Sequence, residues 1–318
     1  MPVWLDRSRL PAPSELTCGI CFEPLSFVLQ IYCPLDSPDS AYHRCLYTFC
    51  CRKASCVQGG RYSFFSVKCF RAQCSKKEWE NRAEVASTLC AVCGCNSPLA
   101  CSRCKTVHYC SKGHQKVHWA VHKHCCDSES AAATECTTPA NFPNIVFPEY
   151  DLVVEPEIVG DELVQGDESQ DALAEAMSEL LTYVPEGDED EDEDLTQNDY
   201  DKAIGAESTD PTYIKFLARV RRGGADQVLR YTQPRSGVPG PIPRPLPVAT
   251  GSAMDADSIP PCECCGSARQ FEFQIMPQLL FYLNDIDWNS VDIYTCSANC
   301  SPLDLPTSAY KQEFVHLQ

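Results

Sequence analysis

Between Cys90 and Cys126 the chain reads C-A-V-C, C-S-R-C, Y-C-S-K-G-H and W-A-V-H-K-H-C-C. Eight residues able to bind a metal thus fall in four pairs: Cys90/Cys93, Cys101/Cys104, Cys110/His114 and His122/Cys126. No other feature limits the fold as strongly. A two-residue gap lets both thiolates of a knuckle face one ion, and structural zinc takes four sulfur or nitrogen donors in a tetrahedron. The spacing of His122 and Cys126 puts both side chains on one helix face, one turn apart.

The 318 residues suffice for about two or three domains. Twenty-three cysteines would suit a disulfide-rich secreted protein, but M-P-V-W-L-D-R is not a signal sequence. An odd cysteine count with repeated C-x2-C knuckles points instead to zinc in a reducing compartment. No apolar run approaches the roughly 20 residues that span a bilayer, so no membrane association is expected. The net charge of −18 is unevenly shared. From Arg44 to Arg82 there are nine Lys/Arg against Glu78 and Glu80, and the stretch from Cys90 to Cys126 has five Lys/Arg and no carboxylate. From Asp127 to Asp201 there is no Lys or Arg, while Glu149–Asp201 holds twenty-one acidic residues. Such a surface repels nucleic acid and attracts basic proteins.

Residues 1–85 carry a second metal signature. Cys18-G-I-Cys21 precedes an apolar stretch (Leu25, Phe27, Val28, Leu29, Ile31, Tyr32) with strand character. In H-R-C-L-Y-T-F-C-C-R-K-A-S-C, Leu46, Thr48 and Cys50 alternate with Tyr47, Phe49 and Cys51, a strand that delivers another knuckle. Cys18, Cys21, Cys51 and Cys56 are assigned to one zinc; spacing leaves Cys50, Cys45 and His43 as alternatives. Cys33, Cys69 and Cys74 have no evident partner and read as small apolar side chains. Lys76–Leu89 is a charged connector with some helical character.

Beyond Cys126, Ser128–Thr138 reads as a linker. N-F-P-N-I-V-F-P-E-Y-D-L-V-V-E-P-E suggests a strand through Tyr150, Leu152 and Val154, and Ser169 suits the cap of a helix over Gln170–Tyr183. The acidic run inside 185–210 cannot bury enough apolar surface to fold. Asp210-Pro211 opens a helix with Tyr213, Phe216, Leu217 and Val220 in register and Gly223 as its stop. Residues 233–258, Pro-rich in their first part, read as an extended linker.

The last sixty residues repeat the metal theme. Cys262-E-C-Cys265-G precedes a strand with Phe271, Phe273 and Ile275 in alternation, and V-D-I-Y-T-Cys296-S-A-N-Cys300 supplies the second pair. Cys262, Cys265, Cys296 and Cys300 form a closed ribbon-like site; Cys264 competes with Cys265. With four protein donors per ion, each site is a structural one rather than an open Lewis acid. The expected class is α+β, β-rich and zinc-stapled.

The central stretch resembles a MYND zinc finger, including Tyr109 before the fifth ligand, Gln115 after the sixth, Trp119 and the His122-Lys123 pair; His114 stands where many such fingers have Cys. The resemblance implies interleaved metals, one held by Cys90, Cys93, Cys110 and His114 and the other by Cys101, Cys104, His122 and Cys126. The flanks C-G-I-C-F-E-P-L-S-F-V-L-Q-I-Y, H-R-C-L-Y-T-F-C-C, N-I-V-F-P-E-Y-D-L-V-V-E, D-Q-V-L-R-Y and C-G-S-A-R-Q-F-E-F-Q-I-M-P-Q-L-L resemble the programmed cell death protein 2 family in order. That resemblance implies two related β-rich halves (1–85 and 139–318) with the finger (90–126) inserted. With the two sites read from spacing, one in each half, the expected cofactor is four Zn2+, two of them in the finger. The functional implication of the resemblance is a dedicated chaperone for a newly made small-subunit ribosomal protein, S-two, of the bacterial S-five family. The chain opens at M-P-V-W-L, which resembles the end of a Gly-Gly-containing stretch in the family. The family's usual first strand is therefore expected to be missing, and G-V-P-G-P-I-P-R-P-L-P stands in place of its Trp-containing segment after L-R-Y.

A second possible role is a corepressor-type adaptor docking Pro-containing peptides on the finger. Tyr109 and Trp119 suit that role, but Trp119 reads rather as an anchor for the helix. No phosphate-binding glycine loop, G-x-S-x-G, H-E-x-x-H or SET-type signature occurs, so no enzymatic activity is expected. The acidic total and the lack of a recognition-helix pattern argue against direct nucleic-acid binding. Residence in cytoplasm and nucleus is the expectation.

Overall fold

The computed structural model describes residues 1–57, 65–82, 88–126, 142–153, 210–223, 226–231, 244–283, 286–301 and 308–318. Among them the elements run β1 (Ser26–Tyr32), β2 (His43–Cys50), α1 (Ala54–Val57), β3 (Val67–Cys74), α2 (Lys76–Glu80), β4 (Leu99–Ala100), β5 (His108–Tyr109) and α3 (Lys112–His122). They continue with α4 (Pro211–Gly223), β6 (Leu229–Tyr231), β7 (Arg269–Ile275), α5 (Leu280–Leu283), β8 (Val291–Cys296) and β9 (Tyr310–Leu317).

Seven strands form one antiparallel sheet in the order β1-β2-β3-β9-β8-β7-β6, and β4 pairs with β5 inside the finger. The β3–β9 ladder, Cys69↔Glu313 to Ala72↔Tyr310, joins the N-terminal strands to the C-terminal ones. Neither strand was expected from the sequence. Both carry polar side chains that turn out to be buried (Arg71, Gln73, Lys311 and Glu313), so the apolar alternation that marks a half-buried strand is absent. The sheet is curled: Arg44 on β2 donates to both carboxylate oxygens of Glu272 on β7 at 2.7 Å, although three strands separate them in the sheet order.

The two halves follow one plan. A cysteine knuckle precedes β1 and another precedes β7; β2 runs directly into Cys51, and β8 ends in Cys296. β1 is irregular between Phe27 and Leu29, and β7 between Phe271 and Phe273, at corresponding places. In each knuckle the amide of the first cysteine bonds a carbonyl five residues on, Cys18 to Glu23 and Cys262 to Ser267. The residue after the second cysteine has positive φ in both, 61° at Phe22 and 73° at Gly266. Glycine adopts this conformation freely; a phenylalanine is strained in it.

The N-terminal segment fastens three parts together. Trp4 stacks on Tyr47 of β2 at 5.1 Å, meets Tyr310 of β9 edge-on at 5.0 Å, and donates its indole N–H to the Gly94 carbonyl of the finger at 2.7 Å. The Tyr47 and Tyr310 hydroxyls bond the backbone of residues 3–6. This aromatic layer joins Phe49, Phe70 and the finger's Val92 and Val107 in one continuous core.

The helix expected from Pro211 to Gly223 is α4, with Phe216 buried against Val248 and Met276. The strand expected through Tyr150 and Leu152 is not formed: residues 147–153 carry no ladder, and Pro143 and Pro148 lack the N–H that a ladder needs. The expected linker over 233–258 is docked in its described part. Leu246 exchanges both backbone hydrogen bonds with the Gln274 side chain at 3.0 and 2.9 Å, and Val248 is buried. Lys76–Leu89 begins as the short helix α2, capped by a reciprocal Ser75/Glu78 box. The linker at 128–138, the helix expected over Gln170–Tyr183 and the acidic residues 185–209 lie outside the described residues.

Candidate metal centres

Among the described residues, four groups of side chains converge so that their donor atoms lie within 4.8 Å of one another: Cys18/Cys21/Cys51/Cys56, Cys90/Cys93/Cys110/His114, Cys101/Cys104/His122/Cys126 and Cys262/Cys265/Cys296/Cys300. Local structure explains each. In the first, the tight turn after Cys18 brings Cys21 round, and Cys51 and Cys56 are set by the end of β2 and by α1. In the finger, the knuckles of Cys90 and Cys101 turn back at Gly94 and Lys105, both with positive φ. Ser111 caps α3 by accepting from the His114 amide at 3.1 Å. The helix then carries His114, His118 and His122 on its buried face, at four-residue spacing.

The geometry fits zinc. Zn–S bonds of 2.3 Å in a tetrahedron separate two sulfurs by about 3.8 Å, and a sulfur from an imidazole nitrogen by about 3.5 Å. The observed Sγ···Sγ distances are 3.6 Å for Cys21/Cys51, 3.6 Å for Cys93/Cys110, 3.7 Å for Cys101/Cys126, 3.6 Å for Cys262/Cys300 and 3.5 Å for Cys265/Cys296. His114 presents Nδ1 to Cys90 at 3.6 Å, whereas His122 presents Nε2 to Cys104 at 3.5 Å. The interleaving implied by the resemblance is the grouping in space. Every cluster is compatible with zinc.

The alternatives left open by spacing are placed elsewhere. Cys50 and Cys45 are buried outside the cluster that Cys51 joins, and burial pushes their thiols up to about 12 and about 11. His43 bonds the Tyr32 hydroxyl at 2.8 Å and stacks near Trp79. Cys33 is buried, its thiol raised to about 12, and accepts from Arg44 at 3.1 Å. Cys264 is exposed and outside the cluster that Cys265 joins.

Supporting contacts were invisible in the ligand spacing. The Lys311 ammonium donates to Cys262 Sγ at 2.8 Å and Cys300 Sγ at 3.2 Å, placing one positive charge against the C-terminal thiolates. Thr106 donates to Cys104 Sγ at 3.2 Å. His118 is no ligand: its Nδ1 meets the buried Tyr109 hydroxyl at 2.8 Å and its ring stacks on His122, which fixes that ligand's orientation. Tyr109 is thus an internal brace. Trp119 does not anchor the helix into the core; it is 43 % exposed, with Val117 and Val121 exposed beside it.

Comparison with known proteins agrees with this layout. The model for "Programmed cell death protein 2, N-terminal domain" matches residues 1–88, the C-terminal domain model of the same family matches residues 210–318, and the MYND finger model matches residues 90–126. Programmed cell death protein 2 of Bos taurus is 33% identical over 337 residues, covering 100% of this chain and 88% of the relative. Programmed cell death protein 2-like of Homo sapiens is 28% identical over 329 residues, covering 95% and 84%. Probable 20S rRNA accumulation protein 4 of Schizosaccharomyces pombe is 36% identical over 63 residues, 19% of this chain and 16% of that protein. No solved structure matches.

Proposed function

Since the chain belongs to the programmed cell death protein 2 family, we propose that it is a dedicated chaperone for a newly made small-subunit ribosomal protein, S-two, which it escorts to the assembling subunit. The observation that carries this reading is the relationship to a yeast protein whose name ties it to 20S rRNA accumulation, within a family that the whole chain matches. The charge distribution supports it. A basic ribosomal protein released without its RNA attracts any polyanion, and the carboxylate-rich stretch up to Asp201 offers a competing, reversible partner.

In this reading four zinc ions, one per cluster, are structural. Held by Cys18/Cys21/Cys51/Cys56, Cys90/Cys93/Cys110/His114, Cys101/Cys104/His122/Cys126 and Cys262/Cys265/Cys296/Cys300, they would close the knuckles that begin and end the strands. The chain itself then does the work: a rigid curled sheet presents surfaces to the client, and no residue is assigned a catalytic role. The test is a tagged pull-down from cells at moderate salt with nuclease present. Recovery of S-two near equimolar amounts, without the rest of the subunit, is the expected result.

A second reading, a corepressor-type adaptor, is favoured by one observation, the exposed Trp119, Val117 and Val121 on α3. Substituting Trp119 should leave S-two capture intact under the first reading and abolish partner recovery under the second.

A further inference from the structure

Residues 147–153, which form neither helix nor strand, reach α5, where the exposed rings of Tyr150 and Phe281 meet the half-buried ring of Tyr282. Tyr150 lies edge-on to Tyr282 with centroids 5.1 Å apart, and Phe281 lies edge-on to Tyr282 at 5.4 Å. Phe281 is 83 % exposed, Val153 75 % and Tyr150 65 %. Single exposed apolar residues need no explanation, but a contiguous aromatic group held in place does. It is held: the Tyr282 hydroxyl donates to Asp226 at 2.9 Å, and Leu283 beside it is buried in the core.

Within 147–153 and 270–310 the side-chain charges have one sign, whereas the segment of Asp226 also carries Arg230. Glu149, which pairs with the N-terminal ammonium, and Asp151 flank Tyr150, Asp226 bonds Tyr282, and Asp287 follows α5. No Lys or Arg occurs from Gln270 to Tyr310, and nineteen more acidic residues follow from Glu155 to Asp201. Aromatic faces among carboxylates select cations. A guanidinium is more weakly hydrated than an ammonium, stacks flat on a ring and makes forked hydrogen bonds to a carboxylate. The same segment already makes such a contact internally, with the Arg52 guanidinium 4.4 Å from the Phe147 ring centre.

We propose that Tyr150, Phe281 and Tyr282, with Asp151 and Asp226, form the seat for an extended, arginine-bearing segment of the client, a proposal that rests on the chaperone reading. Arginine side chains stack on the rings while the carboxylates take their N–H groups.

The experiment uses the zinc-loaded full chain and two fluorescent peptides of equal length and charge, one of alternating Arg and Gly and one of alternating Lys and Gly. The arginine peptide is expected to bind more tightly. A Tyr150→Ser/Phe281→Ser variant should weaken it about tenfold while changing the lysine peptide less than about twofold. Phe281→Leu, which keeps apolar bulk but removes the ring, should act in the same direction and guards against misfolding of the double variant. Equal binding of the two peptides, no binding of either, or equal losses for both in the variants would overturn the seat. Capture of S-two separates the two ideas. If wild type and Phe281→Leu capture it equally, the seat falls and the chaperone reading stands. If wild type binds the arginine peptide through Phe281 but does not capture S-two, the seat stands and the chaperone reading falls.

Discussion

Arg44 of β2 and Glu272 of β7 face each other across the inside of the curled sheet, joined by two parallel hydrogen bonds of 2.7 Å with both side chains fully buried. Thr295 donates to the same carboxylate at 2.6 Å, so the acid's remaining lone pairs are used. Arg71 and Glu313, bonded at 2.6 Å, form a second buried pair across the β3–β9 junction. The interior between the halves is therefore ionic, and its partners come from opposite ends of the chain. Breaking a buried pair strands a charge, whereas replacing both members removes the desolvation cost as well. Arg44→Met or Glu272→Leu alone should cost about 3–5 kcal/mol in urea unfolding of the zinc-loaded protein. The double substitution should recover most of that loss; additive losses would show that the pair is not the coupling element.

Trp4 is the point where both halves and the finger meet, through Tyr47, Tyr310 and the Gly94 carbonyl. Trp4→Ala should destabilise the protein by about 3–5 kcal/mol. Trp4→Phe keeps the stacking but loses the N–H, and should cost about 1–3 kcal/mol for the stranded carbonyl. Protease sensitivity appearing first between the finger and the sheet would confirm where the loss acts; unchanged thermal unfolding of both variants would refute it.

At the C-terminal cluster Lys311 stands 2.8 Å and 3.2 Å from two thiol sulfurs. Its ammonium offsets part of the negative charge of a four-thiolate zinc site. Lys311→Met should weaken that site's zinc affinity about tenfold in competition with a chromophoric chelator. The finger's two clusters should release zinc as before. A uniform change at all clusters would point to general unfolding instead.

Asp292 is buried on β8, and burial raises its carboxyl to about 7, although Gln318 donates to it at 2.8 Å. Its unfolded value is near 3.9, so the folded state holds the proton more tightly. Stability from this group is greatest below about pH 4 and declines as pH rises through about 7, after which it levels off. Between pH 6 and 8 the decline should be about 1 kcal/mol relative to Asp292→Asn, which lacks the titration. Parallel pH profiles for the two proteins would rule this out.

Zinc content tests the ligand sets. Metal analysis should give four ions per wild-type chain, and Cys18→Ser, Cys93→Ser, Cys104→Ser and Cys296→Ser should each lose one. Cys45→Ser, Cys50→Ser and Cys264→Ser, at thiols outside the clusters, should keep all four.

Much of this architecture is legible in the chain because zinc geometry is written in spacing. C-x2-C at Cys18, Cys90, Cys101 and Cys262 names the knuckles; beside them β1 shows as an apolar stretch, β2 and β7 as alternating residues, and β8 as the segment that leads into the Cys296/Cys300 pair. β3 and β9 are not legible in the same way. Their inward positions hold Arg71, Gln73, Lys311 and Glu313, which add to local contacts (Arg71 with Gln73, Lys311 with Glu313) partners distant in sequence, such as the Arg71–Glu313 pair and the Asn299 carbonyl that accepts from Gln73. An interior built of ion pairs erases the pattern by which strands are recognised. The docking of residues 244–248 escaped for a related reason: Leu246 is held by the side chains of Gln274 and Gln318 rather than by a strand. Tyr150 and Leu152 failed in the opposite direction, since alternation alone supplies no neighbouring edge.

The most direct test of the account is binding between purified components. The zinc-loaded chain and purified S-two ribosomal protein, mixed at moderate salt without RNA, should elute together from a sizing column as a one-to-one complex and keep S-two soluble. S-two that elutes or precipitates alone, at a salt concentration where the chain itself stays folded and zinc-loaded, would contradict the chaperone reading.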